Sequence, residues 1–218
     1  MFRVMCLVIG YAFGLIQTAF VIGKLNGIDI REHGSGNAGT TNTMRVLGTK
    51  AGLLVFVGDC IKCVIAVLVC VAICKGLLKD RFENYDHLIR LYAGMGAILG
   101  HNFPFYLKFK GGKGIACTAG LMFSFDPWFT LVGLIEFFSI FFITHYVSLG
   151  SLMAYPYIII MELILGKDYF KCDQATFIEM VIVTVVLCLL TTFMHRANIK
   201  RLLTHSEKKT YLTKKSDL

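Results

Sequence analysis

Ala51-Gly-Leu-Leu-Val-Phe-Val-Gly-Asp59-Cys-Ile-Lys62-Cys-Val-Ile-Ala-Val-Leu-Val-Cys-Val-Ala-Ile-Cys74 is the stretch whose reading sets the fold, and Asp59 and Lys62 are its only charges. A helix of about 20 mostly apolar residues crosses a bilayer core, so residues 51–74 are predicted to span a membrane. The rest of the chain has the same character. Of 218 residues, 56% are hydrophobic and 17% charged, against roughly 45–50% and about 25% in soluble domains. Mean hydropathy is +0.67. A soluble fold of this size could not hide so much apolar surface, and disorder requires low hydrophobicity. The expectation is an all-α, polytopic integral membrane protein. It forms a single membrane-embedded domain over residues 1–218, without an internal repeat or a soluble domain.

Further spans are predicted at residues 4–23, 88–107, 115–125, 128–144, 147–165 and 177–194, seven in all, with a basic tail at 195–218. The segment at 4–23 is too long for the apolar core of a signal peptide. Pro156 is expected to kink the sixth span. Seven spans put the termini on opposite sides, and the Lys/Arg bias selects the orientation. With the C-terminus cytoplasmic, the inner segments hold 14 of the 22 Lys and Arg and the outer ones 6, with Lys62 and Arg90 inside spans. The N-terminus is therefore predicted outside and the C-terminus inside.

The net charge of +8 would suit nucleic acid in a soluble protein. Here the basic residues lie between apolar runs, which favours membrane lipid and small anionic substrates and argues against nucleic acid. Cys60, Cys63, Cys70 and Cys74 fall within one apolar run and read as small hydrophobes. The C-x-x-C at Cys60–Cys63 has no second pair at zinc spacing, so no metal is expected.

The residues capable of chemistry collect in four places. The first inner loop reads His33-Gly-Ser-Gly-Asn-Ala-Gly-Thr-Thr-Asn-Thr-Met-Arg45. Glycines let the backbone turn and expose N–H groups, and successive exposed N–H groups bind anions. Ser35, Gly36, Asn37, Gly39, Thr41 and Asn42 are the candidates, and Arg45 adds a fork suited to phosphate. The second inner loop reads Gly100-His-Asn-Phe-Pro-Phe-Tyr-Leu-Lys-Phe-Lys-Gly-Gly-Lys-Gly114 and runs into a helix at Ile115. Lys110, Gly111, Gly112, Lys113 and Gly114 match the way phosphate is cradled at a helix N-terminus. It is not a nucleotide P-loop, because Gly114 stands where that motif needs Ser or Thr. In the third inner turn, Ser148 and Ser151 share a helix face. The tail begins His195-Arg-Ala-Asn198-Ile-Lys-Arg201, and His195 and Asn198 share a face if the seventh helix continues.

These motifs resemble the bacterial glycerol-3-phosphate acyltransferases of the PlsY type. The resemblance is carried by Ser-Gly-Asn-x-Gly-x-Thr-Asn-x-x-Arg, Gly-His-x-Phe-Pro-x(4)-Phe-Lys-Gly-Gly-Lys-Gly, Val-Ser-Leu-x-Ser and His-Arg-x-Asn-Ile-x-Arg-Leu, and it runs from residue 24 to about 207. It implies a multi-pass enzyme of the bacterial cytoplasmic membrane with its active site at the cytoplasmic face. The reaction it implies moves a fatty acyl group from acyl phosphate to the 1-hydroxyl of sn-glycerol 3-phosphate, giving lysophosphatidic acid and phosphate without a cofactor. It also suggests a PlsX-type partner that makes acyl phosphate. Thr40, Cys117 and His205 depart from the family's usual Ala, Thr and Gly.

On this reading Ser35, Arg45, Lys110, His195 and Asn198 are the catalytic group, and the other named loop and turn residues bind substrate. His195 positions substrate first and serves as base second. Asp59 and Lys62 are expected to pair within the bundle as support. A transporter of phosphorylated solutes would place its basic residues at the midplane within repeats, and neither is seen. The H-x4-D of soluble-type acyltransferases and the Asp cluster of CDP-alcohol phosphotransferases are absent from the sequence.

Overall fold

The computed structural model describes residues 1–211. Among these, ten α-helices account for nearly all regular structure: α1 Phe2–Gly14, α2 Thr18–Leu25, α3 Thr40–Leu47, α4 Thr49–Leu78, α5 Phe82–Asn102, α6 Ile115–Phe125, α7 Pro127–Thr144, α8 Val147–Tyr169, α9 Gln174–Met194 and α10 Arg196–Leu203. Three 3-10 turns, at Ile30–Glu32, Lys79–Arg81 and Phe105–Leu107, link them.

Among the described residues, five stretches are long and apolar enough to cross a membrane: Phe2–Leu25, Thr49–Leu107, Pro127–Thr144, Val147–Tyr169 and Gln174–Met194. The second contains both α4 and α5. Along α4, Leu54, Val57, Ile61, Ile65 and Leu68 are exposed, while Val55, Cys63, Ala66, Val67 and Cys70 are buried. An exposed apolar stripe at helical spacing is a surface suited to lipid. All eight cysteines are free, and Cys6, Cys63, Cys70, Cys74 and Cys117 are fully buried.

The packing centre is the seam between α1 and α5. A methyl group on Gly10 would lie 2.1 Å from the Ala93 carbonyl oxygen, and one on Gly100 would lie 2.3 Å from that of Tyr11. Small residues let two membrane helices approach backbone to backbone. Asp126 caps α7, accepting from the Trp128 and Phe129 amides at 2.8 and 3.2 Å ahead of Pro127 at the first turn. Asp173 caps α9 through the Thr176 amide at 2.7 Å.

Three boundaries differ from the sequence expectation. The first span is broken into α1 and α2 by the buried Gln17. Its amide nitrogen donates to the carbonyls of Gly14, Gly100 and His101 at 3.3, 3.4 and 3.0 Å. It thereby serves carbonyls that the ends of α1 and α5 leave open. The third predicted span, α5, stops at Asn102, short of 107. Pro104 cannot continue it, and the chain turns into the loop that carries Lys108 to Gly114. In α8 the non-helical residue is Gly166 (φ 69, ψ 176), while Pro156 is held inside the helix. The short helix at 115–125 has the expected boundaries. Residues 212–218 of the predicted basic tail lie outside the described residues.

Candidate active site

Helix α6 begins at Gly114, which takes a left-handed conformation (φ 85). Ahead of it, the Gly111 and Gly112 amides donate to the carbonyls of Asn102 and His101 at 3.2 and 3.1 Å. A methyl on Gly111 would stand 1.9 Å from the His101 carbonyl oxygen, and one on Gly112 would stand 2.1 Å from His101 Nε2. These glycines let the loop lie directly on the end of α5. The first loop is folded by Asn42, whose Oδ1 accepts from the Ser35 amide at 2.7 Å. Its Nδ2 donates to the carbonyls of Ile30 and His33 at 3.1 and 3.0 Å. The Asn42 side chain is therefore spent on shaping the loop.

Both loops, the start of α8 and the α9–α10 junction surround one cavity of about 530 Å³. Ser35, Gly36, Asn37, Gly39, Thr41, Asn42 and Arg45 line it from the first loop and α3, and Lys113 and Gly114 from the second. Ser148 and Ser151 line it from α8, and His195 and Asn198 from the junction. Lys110 is exposed, and neither it nor Gly111 or Gly112 lines the cavity. The seventh predicted span, α9, does not run on unbroken. It ends at Met194, and His195 (φ −97, ψ 7) joins it to α10, yet both expected side chains still enter the cavity.

The sequence reading assigned Asp59 to bundle support and did not name His101, Arg201, Glu207 or Thr210 as site residues, yet all five line the cavity. The tail folds back over the site: the Thr210 amide donates to the His145 carbonyl at 2.9 Å, and Arg45 Nη2 donates to Thr210 Oγ1 at 3.5 Å. Glu207 accepts from Asn198 Nδ2 at 2.6 Å and from Arg201 Nε at 2.5 Å. Asn198 Oδ1 in turn accepts from the Lys113 ammonium. His205, where the family pattern has glycine, is left-handed (φ 52). The signal for the tail's role was its Arg201 and Glu207, but a fold-back is not encoded in any period.

Burial governs the electrostatics. It pulls the Lys113 ammonium down to about 8, with Arg201 and Arg45 adding repulsion and Glu207 opposing them. Burial also lowers the Arg45 guanidinium. His195 is lowered to about 4 by burial and by Lys113, and its ring is neutral near pH 7. Its Nδ1 lies 2.9 Å from the Thr191 carbonyl. A carbonyl can only accept, so Nδ1 carries the hydrogen and Nε2 is left as an acceptor. Burial raises Glu207, but the hydrogen bonds from Asn198 and Arg201 outweigh it and hold the carboxyl below its usual range. Several buried polar atoms have no partner among the described residues: Arg45 Nε, Thr40 Oγ1, Ser148 Oγ and one Asp59 oxygen. Each such atom costs roughly 1–3 kcal/mol, and these four line the same cavity.

The fold and site define a multi-pass integral membrane protein with a cavity lined by basic and polar side chains at one end of its helix bundle. A family model described as Glycerol-3-phosphate acyltransferase matches residues 4–205. The chain is 37% identical over 209 residues to glycerol-3-phosphate acyltransferase 2 of Bacillus cereus, covering 95% of each protein. It is 36% identical to glycerol-3-phosphate acyltransferase of Bacillus subtilis, over 93% of this chain and 95% of that one. The crystal structure of PlsY (YgiH), an integral membrane glycerol 3-phosphate acyltransferase, in its glycerol 3-phosphate form superposes with a TM-score of 0.80. Identity is 32%, with 96% of each chain covered. Its lysophosphatidic acid form gives 0.78 at the same identity, over 96% of this chain and 95% of that one. The chain belongs to the glycerol-3-phosphate acyltransferase family.

Proposed function

We propose that the protein transfers a fatty acyl group from acyl phosphate to the 1-hydroxyl of sn-glycerol 3-phosphate, releasing lysophosphatidic acid and phosphate. The observation that carries this reading is a pair of adjoining cavities, one polar and one apolar, with shared walls. Arg45, Lys113 and Arg201 line the polar one. Phe56, Ile115, Phe137 and Phe138 line both this cavity and a neighbouring apolar one, which Met122, Phe129 and Tyr157 also line. Two phosphates need several cations, and an acyl chain needs an apolar path out of the polar region. The relatives' names supply glycerol 3-phosphate and lysophosphatidic acid as the matching ligands.

The hydroxyl oxygen attacks the acyl carbonyl carbon, and the bond from that carbon to the phosphate oxygen breaks. Phosphate leaves with the electron pair. His195 Nε2 accepts the hydroxyl hydrogen bond and passes the proton to the departing phosphate. This transfer runs downhill from an imidazolium near 4 to a phosphate whose second pKa is about 6. Arg45 and Lys113 hold the phosphates, and orienting the hydroxyl is worth up to about 7–11 kcal/mol. Ser35 donates a hydrogen bond and does not act as nucleophile: it is exposed at the mouth, and the neighbouring His33 Nδ1 is engaged by the Asp29 carbonyl at 3.0 Å. The same reading takes seven crossings with the N-terminus outside and the cavity on the cytoplasmic face of a bacterial cytoplasmic membrane. Acyl phosphate then arrives from a PlsX-type partner, and membrane lipid surrounds the bundle.

Purified protein given acyl phosphate and glycerol 3-phosphate in chelator should form lysophosphatidic acid with sequential kinetics. Labelled acyl phosphate alone should leave no label on the chain. Product formed only from a thioester donor, or a stoichiometric adduct discharged by glycerol 3-phosphate, would overturn the donor or the direct path respectively.

A further inference from the structure

Beneath the two glycine loops lies a buried polar group that the reaction above does not use. Asp59, Lys62 and His101 are each at most 3% exposed. The Lys62 ammonium has three hydrogens and three neighbours: the Ile16 carbonyl at 2.5 Å, Asp59 Oδ1 at 2.7 Å and His101 Nδ1 at 3.0 Å. Thr18 Oγ1 donates to the same Asp59 oxygen at 3.0 Å.

An ammonium only donates, so His101 Nδ1 is an acceptor and the ring hydrogen sits on Nε2. Nε2 has no hydrogen-bond partner among the described residues, and the ring lines the cavity. It stands where the two loops meet. A methyl placed on Gly112 would be 2.1 Å from Nε2 and 2.8 Å from the Ala38 carbonyl oxygen of the first loop. The missing side chain at Gly112 therefore leaves the ring its place against the backbone of both loops. The ring's orientation is fixed from behind by the Lys62–Asp59 ion pair.

We propose that His101 is a further substrate-contacting residue, a neutral imidazole held as the Nε2–H tautomer by the Lys62–Asp59 pair and donating to a phosphoryl oxygen bound between the two glycine loops. Lys62 and Asp59 are positioning residues that act through it. The inference deepens the acyl-transfer reading, but it depends on that reading only for which phosphate is bound. A neutral donor also suits a crowded site better than a further cation. It adds a directed hydrogen bond beside Arg45 and Lys113 without adding to the repulsion already lowering Lys113.

The test uses the full chain in detergent with 15N-labelled histidine, titrated with inorganic phosphate and separately with glycerol 3-phosphate. The His101 signals are identified by their loss in His101→Gln. The free protein should show His101 with hydrogen on Nε2, and saturating anion should move that signal. His101→Ala should weaken binding at least about tenfold, the lower end for a hydrogen bond to a charged group. His101→Gln, whose amide N–H reaches a similar point, should recover most of it. Lys62→Met should let hydrogen populate Nδ1 and weaken binding while leaving the ring in place. Movement with phosphate alone would assign the contact to the leaving-group side, and movement only with glycerol 3-phosphate to the acceptor side; either supports the donor role. An Nδ1–H tautomer in the wild type, or His101 signals unmoved at saturation, would overturn it. So would a His101→Gln variant no better than His101→Ala. The titration involves no acyl transfer, so a wrong donor assignment would leave its outcome unchanged.

Discussion

The two ends of the helix bundle carry similar polar residues and treat them differently. At one end, near the start of α1 and α9, Arg3 gives two hydrogen bonds to the two oxygens of Glu179, both at 2.5 Å, and Tyr92 adds a third at 2.7 Å. Asn84 bridges to Asp173 and Thr176 at 3.0 and 3.2 Å. Arg3, Glu179 and Asn84 there are all partnered within the protein. At the other end, Arg45 Nε, Ser148 Oγ and Thr40 Oγ1 are buried without one. Saturated polar groups in an apolar bundle hold helices together, whereas unsaturated ones are stable only when something else completes them. On the proposed function, the paired groups serve the fold and the unpaired ones at the cavity serve a ligand.

The strongest way to break this comparison is to remove one charge from each end. Arg45→Ala should cost acyl transfer roughly 2–5 kcal/mol, the penalty for a lost charged hydrogen bond to a desolvated anion, and leave thermal stability nearly unchanged. Arg45→Lys should restore little, because lysine lacks the fork. Glu179→Gln should do the reverse, lowering the melting temperature with kcat intact. Activity measured beside thermal unfolding checks both. Near-normal turnover in Arg45→Ala, or loss of turnover in Glu179→Gln, would erase the distinction.

The helical, membrane-embedded class and the four motif clusters were legible because hydropathy and motif spacing are local in sequence. Thirteen of the named site residues, Ser35 through Asn198, meet at the cavity. What was not legible depended on tertiary contacts. Gln17 breaks the first helix by reaching carbonyls of α5. Asp59 and His101 sit in predicted spans, where a polar residue reads as bundle support, and only the packing of α5 under the loops brings them to the cavity. The Asp59–Lys62 pair expected from their i, i+3 spacing is present at 2.7 Å. Lys110 shows the converse: its motif is indistinguishable from that of Lys113, yet the left-handed residues Lys108 and Phe109 (φ 55 and 59) precede it and its side chain is exposed.

Proton linkage sharpens the comparison with a smaller effect. Lys113 is held down to about 8, chiefly by burial, so its charged form is disfavoured by folding. The sign follows: stability contributed by this residue rises as pH increases from about 8 towards the unfolded value near 10.4. Phosphate affinity runs the other way, because binding needs the ammonium. The kcat/KM for glycerol 3-phosphate should rise through about pH 6 as the substrate ionises, then fall about tenfold per unit above pH 8 as Lys113 loses its proton. Lys113→Arg should flatten the alkaline limb, since arginine stays charged, even if its maximum is lower. An alkaline limb at the same pH in that variant would remove Lys113 as its source.

The smallest expected effect concerns backbone. Both ends of the bundle contain a left-handed turn, and Gly166 supplies it within α8 at φ 69. At the cavity end the corresponding conformation is taken by His205, at φ 52. The His205 amide donates to the Leu202 carbonyl at 3.2 Å, and the Ser206 amide donates to that of Arg201 at 2.8 Å. These are the two hydrogen bonds of a Schellman helix end, whose left-handed position favours glycine. A side chain there costs roughly 1–2 kcal/mol, and glycine returns about half of that or more to unfolded-chain entropy. His205→Gly should therefore stabilise by about 0.5–1 kcal/mol, read as a rise in melting temperature. Glu207 follows two residues later and ties the tail to Asn198 and Arg201, so easing this turn should leave KM and kcat within about twofold, since no charged hydrogen bond is lost. Gly166→Ala should instead destabilise. Loss of stability in His205→Gly would mean that the histidine side chain makes a contribution larger than the strain it carries.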